Sequence, residues 1–259
     1  MSKRNYPAIW QRLFSVWFRH VRVYGQNLIS NGFPPFLEPL MFLAGVGLGL
    51  QNYIHEMDHL PYLTFLATGL LVTTAMFTSA FECSFGTFIR LEFDKVYDGM
   101  LAAPITVNNL IVGEIIWAGT KGLFFSFSVL VIMTAFGIIP LPWSLLAPLV
   151  GFATGVMFAT ISLLITAFVK NINHFNFYFS GFISPMFFFS GVIFPISDLP
   201  RYLRPFCEIL PLTHSVRLVR AACLADFHWF HLLDLLFIVV FTAITGPLAI
   251  RLLRKRLIK

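Results

Sequence analysis

Residues 55 to 59, His55-Glu56-Met57-Asp58-His59, spell H-E-x-x-H, the pattern in which two histidines hold zinc and the glutamate acts as base in peptide hydrolysis. That chemistry needs both histidines on one helical face and a third ligand. Here the pattern sits in a short polar connector before Pro61 with no third ligand nearby, so it reads as a solvated loop. A second group, Glu82, Glu114 and Lys121, places ionisable side chains in otherwise oily sequence. Such groups are costly at membrane depth unless paired or wet. Glu114 and Lys121, seven residues apart, fall on nearly the same helical face, about 10 Å apart along the axis. With Glu82 as a partner for Lys121, the three form either an inner polar seam that works as a latch or a buried pair that only holds two helices together. His228 and His231 read as interfacial anchors, and no metal is assigned. Cys207 and Cys223 fall on one side of the bundle and are candidates for pairing, whereas Cys83 is expected to stay reduced.

What is missing matters as much. None of the six lysines follows a glycine, so the phosphate-cradling G-x-x-x-x-G-K-[ST] loop is absent, and no G-x-S-x-G elbow occurs. No enzymatic activity is expected, and if transport is active the motor is another polypeptide.

The elements that position these residues follow from composition. Of 259 residues, 58% are hydrophobic and 12% charged, about half the roughly 25% usual in soluble domains. The formal charge of +6 does not form one patch, and no nucleic-acid partner is expected. Apolar runs of about 20 residues are needed to cross a ~30 Å hydrocarbon core. Six occur, roughly at 33 to 52, 61 to 82, 113 to 138, 144 to 169, 174 to 195 and 230 to 250. With the N-terminus inside, 13 basic residues face the cytoplasm and four, Arg201, Arg204, Arg217 and Arg220, face out, with Lys121 inside a span. The positive-inside rule then places both termini in the cytoplasm.

The expected fold is all-α and polytopic, one transmembrane domain over 1 to 259. It opens with an interfacial amphipathic helix at 7 to 31, continues as a six-span bundle from 33 to 250 and closes with a basic tail from 251 to 259. No cleavable signal peptide is apparent. Asp94 to Ala103 reads as a short helix stopped by Pro104, with N-cap chemistry at Thr106-Val107-Asn108-Asn109 for the next. Gly151, Gly155 and Ala159 recur at a spacing that lets helices approach closely. Ser184-Pro185, Ser190-Gly191 and Pro195 break the fifth span, whose outer half is expected to be unwound or re-entrant. Asp198 to Trp229 reads as an outer segment with short helices at Leu199 to Ile209 and Thr213 to Leu224.

Several stretches carry a family resemblance: Phe65 to Leu70, Phe81-Glu82, Gly113-Glu114 with Trp117 and Thr120-Lys121, Ser184-Pro185-Met186 through Phe194-Pro195, and Leu210 to Ser215 with Arg220. In these the chain resembles the type-2 ABC transporter permeases, and within them the nodulation protein J branch linked to lipo-oligosaccharide export. The resemblance implies a bacterial inner-membrane homodimer working with a separate ATPase subunit, which would bind the ATP and Mg; no cofactor is expected on this chain. It implies a coupling region at Asp94 to Leu110, with Asp94, Lys95, Tyr97, Asp98, Leu101, Pro104 and Asn108 toward the ATPase. It also implies outer short helices that cap an exit gate formed by Pro185, Gly191, Pro195, His214 and Arg220. Membrane lipids are the surrounding partner, and the cargo class, glycolipid, lipo-oligosaccharide, polysaccharide or drug, stays open. An ATPase-independent secondary transporter or channel is the alternative. Asp98→Pro is expected to break the coupling helix.

Overall fold

A computed structural model describes residues 6–26, 37, 41–50 and 52–258. Its elements, in chain order, begin with α1 (Ile9–Gln26), α2 (41–50, π-helical over Leu43–Leu48) and the paired strands β1 (Glu56–Met57) and β2 (Leu60–Pro61). The longer part follows as α3 (Tyr62–Phe93), α4 (Val96–Ala102), α5 (Val107–Ala135), α6 (Trp143–Phe168) and α7 (175–189). Finally come α8 (Arg204–Ile209), α9 (Pro211–Leu224) and α10 (His231–Leu257).

Four helices among the described residues, α3, α5, α6 and α10, are long and apolar enough to cross a membrane. The expected first span is described as α2 over 41–50, while most of its start lies outside the described residues, as do the turn at Gly32, Pro34 and Pro35 and the last residues of the interfacial helix. The expected fifth span is α7, roughly 22 Å long at 1.5 Å per residue, short of a ~30 Å core. It ends at Phe189, and the break falls at Gly191, whose φ of 77° is left-handed. Ser184-Pro185 does not break it. Pro185 sits in the first turn of the α-helical segment that follows the π-helical turns Phe179–Ile183, where a missing N–H is tolerated. The basic tail is not a separate element, because α10 continues helically through Leu257.

The bundle closes where small residues meet. A Cβ on Gly122 would lie 2.8 Å from the Gly151 carbonyl oxygen, and one on Gly151 would lie 2.5 Å from Ser126 Cβ, so α5 and α6 approach almost backbone to backbone. Ser79 Oγ donates to the Ala118 carbonyl at 3.1 Å and ties α3 to the same seam. Gly122→Val is therefore expected to cost about 1–3 kcal/mol, because the obstructing atom is backbone and has nowhere to go. Gly45→Ala, which meets nothing within 4 Å, is the neutral control; melting of the detergent-purified chain compares the two.

Helix α1 uses both faces. Val16 and His20 are buried, Val16 against Gly113 of α5, whereas Ile9, Trp10, Phe14 and Phe18 are exposed. Trp17 Nε1 donates to Thr120 Oγ1 at 3.0 Å, and Arg12 Nη1 donates to Asn109 Oδ1 at 2.9 Å. The helix is thus docked on its own chain along one side and presents an apolar face on the other.

Candidate functional site

Between α3 and α5 the chain makes a sharp elbow. Lys95, at φ 51°, turns it into α4, and Thr106 starts α5 with a capping box shared with Asn109. The short helix expected at Asp94 to Ala103 is observed as Val96–Ala102, with Asp94 and Lys95 in the turn before it. Asp94, Lys95, Asp98, Pro104 and Asn108 are exposed along the elbow, and Leu101 is half-buried. Tyr97 is not a surface group. It is 1% exposed, with its hydroxyl accepting from Arg90 Nε at 3.3 Å. Burial, and then the nearness of Glu114, hold its phenol well above its ordinary pKa, so it contributes no charge of its own. Tyr97 anchors α4 rather than offering it to a partner.

Behind that anchor lies a largely buried ion cluster. Arg90 Nη1 reaches Glu82 Oε1 at 2.7 Å and Nη2 reaches Glu114 Oε2 at 2.8 Å. Lys121 Nζ takes the other oxygen of Glu82 at 2.8 Å. His20 Nε2 lies 2.9 Å from the other oxygen of Glu114 but outside good hydrogen-bond geometry. The expected pairing of Glu82 with Lys121 holds. Among the described residues Glu114 and Lys121 are joined through Glu82 and Arg90, and sequence reasoning missed both Arg90 and His20. Two carboxylates face one guanidinium and one ammonium, a balanced set, which burial demands.

Local structure explains the alignment. Helix α3 carries π-helical turns over Glu82–Gly86 and Ile89–Phe93. Bonds that run from i to i+5 take more residues per turn, so Glu82 and Arg90, eight residues apart, come to one face. About 20 residues of α3 counted from Tyr62 fill a ~30 Å core, which brings Glu82 to its edge and Arg90 beyond. The cluster thus sits at a mouth of the bundle, not at its midplane.

His20, Glu82 and Glu114 have ligand atoms within 4.8 Å of one another. A divalent cation there would have to displace Arg90 and Lys121 from the carboxylates, so the donor set fits an internal ion network better than a metal centre. The H-E-x-x-H residues cannot form one either. Glu56 pairs with Pro61 and Met57 with Leu60 across a tight hairpin, and Asp58 and His59 take φ of 53° and 61° at its tip. No helical face exists there to present both histidines.

At the opposite end, the expected gate residues divide into two groups. Arg220 donates to the Phe65 and Gly191 carbonyls, both at 3.2 Å, and to Thr68 Oγ1 at 3.3 Å, with its guanidinium 3.8 Å from the Phe65 ring centroid. It fastens the broken end of α7 to the start of α3. His214 belongs to a second network: Nδ1 lies 2.6 Å from Asp234 Oδ1, Nε2 lies 3.0 Å from the Glu208 carbonyl, and the ring stacks on Phe237 at 3.8 Å. Arg217 pairs with Glu208 and approaches Asp234 at 3.4 Å. Pro185 opens the final turns of α7 and Pro195 leads into the turn Ile196–Asp198, so both shape backbone. The expected outer helices are observed as Arg204–Ile209 and Pro211–Leu224, and Cys207 and Cys223 are buried free thiols.

Comparison with known proteins places this geometry in context. The family model described as ABC-2 type transporter matches residues 5–224. The chain is 30% identical over 254 residues to Nodulation protein J of Sinorhizobium fredii, covering 98% of this chain and 94% of that protein. It is 31% identical over 222 residues to Nodulation protein J of Rhizobium meliloti, covering 86% and 82%. Inner membrane transport permease YadH of Escherichia coli is 21% identical over 212 residues, covering 80% of each chain.

Proposed function

Because the chain belongs to the ABC-2 type transporter family, a family of multi-pass membrane subunits that pair with a cytoplasmic ATPase, we propose that it is the permease of an exporter driven through the elbow around α4. One observation carries the reading. The exposed side of the elbow offers Asp94, Lys95, Asp98, Pro104 and Asn108, while its buried side is bolted through Tyr97 and Arg90 to Glu82 of α3 and Glu114 of α5. A push on α4 would move the mouths of two long helices together. Ionic networks that can take two arrangements transmit such coupling.

In this reading six spans cross the bacterial inner membrane, the four long helices being joined by the first span and by α7 together with the broken segment after it, with both termini in the cytoplasm. Two copies form the path, and ATP and Mg stay on the ATPase. The cargo in this reading is an amphiphile: a glycolipid, lipo-oligosaccharide, polysaccharide or drug. The elbow and ion cluster would hold the inner mouth, and Arg220 with the α8 and α9 pair would hold the outer one. Purification of the chain together with ATPases encoded near it tests the proposal: a stable complex whose ATP hydrolysis rises at least severalfold over the ATPase alone is expected. Transport driven by an ion gradient with no ATPase bound would favour the secondary-transporter alternative.

A further inference from the structure

A cavity of about 920 Å³ opens at the elbow end of the bundle, bounded by the end of α3, the turn after α6 and the last turns of α10. Its charge is unevenly matched. Glu92, the acidic group on its wall, is held by Arg256 at 2.8 Å and approached by Lys95 at 3.8 Å. Arg256 is further fixed by the Thr166 and Val169 carbonyls and leans over the Phe88 ring at 5.3 Å. That leaves Lys170 and Lys255, both exposed on the same cavity and without a carboxylate partner among the described residues. Beside them Phe93 and Phe168 are 63% and 65% exposed. Two unmatched ammonium groups next to two bare phenyl rings suit a ligand that is anionic at one end and apolar at the other.

Position narrows the ligand further. Phe168 is the last residue of the long apolar helix α6, and Lys170 follows just beyond it, which is headgroup depth for a span that ends there. Basic pockets between membrane helices on the cytoplasmic side recognise anionic lipid headgroups. We propose that the cavity between α3, α6 and α10 binds the phosphate headgroup of an anionic phospholipid through Lys170 and Lys255, with Phe168 against its acyl chains. The site lies apart from the ion cluster and rests on the reading that this end of the bundle faces the cytoplasm.

The test is retention of dioleoyl phosphatidylglycerol against dioleoyl phosphatidylcholine by the purified full chain in mixed micelles, read by native mass spectrometry. The wild type is expected to prefer the phosphatidylglycerol, and Lys170→Gln with Lys255→Gln to reduce that preference by about fivefold per lysine. Arg201→Gln, on the exposed turn before α8, is expected to leave it unchanged. Displacement by glycerol phosphate at millimolar concentration would show that the headgroup alone suffices, whereas its failure to compete would show that the acyl chains are needed. No preference in the wild type, or the same preference in the double variant, overturns the proposal. So does a double variant that keeps its lipid and loses the ATPase, because the cavity would then be a protein-docking face. A reporter fused after Leu257 reads the orientation separately, so a cytoplasmic reporter with no lipid preference counts against the site and an external reporter against the underlying reading.

Discussion

Arg90→Met removes most of the folded chain from the membrane fraction, with an expected loss of about 3–5 kcal/mol. Among the described residues the guanidinium is the one fixed cation on Glu114, which is 1% exposed. Removing it strands a carboxylate in a place that water reaches poorly. Adding Glu114→Gln to Arg90→Met takes away the stranded charge and is expected to restore part of the yield. Lys121→Met is milder, because Glu82 keeps Arg90 at 2.7 Å, so that variant should accumulate normally while transport falls. Abundance by immunoblot and melting of the purified variants check the order. An Arg90→Met chain as abundant and as stable as wild type would mean that Glu114 does not depend on its partner, and the cluster would lose its structural role.

Leu101→Pro separates ATP hydrolysis from transport. A proline at 101 removes an amide from the last turn of α4 and drives its ring toward the carbonyl of residue 97, a local cost of about 3 kcal/mol. Because α4 lies outside the long helices, the chain should still insert and accumulate. Export is expected to fall more than tenfold, while hydrolysis by the partner ATPase continues without responding to cargo. Asp98→Pro is a weaker disruption than the sequence suggested. Asp98 is in the first turn of the observed helix, its amide reaching only the Lys95 carbonyl at 3.2 Å, and first-turn proline is tolerated. Wild-type export by Leu101→Pro would show that α4 is not the driven element.

Much of this was legible because charge in an apolar run is conspicuous. Glu82, Glu114 and Lys121 stand out against their neighbours, and the capping residues at Thr106 and the small-residue stripe of α6 carry local rules that the fold obeys. Arg90 and His20 lie instead among other polar residues, one past the end of the apolar run and one on a helix rich in arginine, and looked solvated. Bringing Arg90 onto the face of Glu82 also takes π-helical turns, which no 3.6-residue periodicity signals. The partnership of His214 with Asp234 spans two helices and was equally silent. Tyr97 failed for the reverse reason: it sits in a charged, exposed-looking segment, yet its ring is the part of α4 that faces inward. Helix length and apolar composition part company at the fifth span, since residues 174 to 195 are oily enough to cross but α7 stops at Phe189.

The central claim is that an ATPase grips α4, and a cysteine at its exposed surface tests this most directly. Cys83, Cys207 and Cys223 are buried, so Asp98→Cys adds an exposed thiol against a quiet background. With a short bismaleimide and the co-expressed ATPase, Asp98→Cys is predicted to give a permease–ATPase cross-link that weakens when ATP binding is blocked, while a cysteine at exposed Arg201 gives none. A cross-link from position 201 and none from 98 would contradict the account.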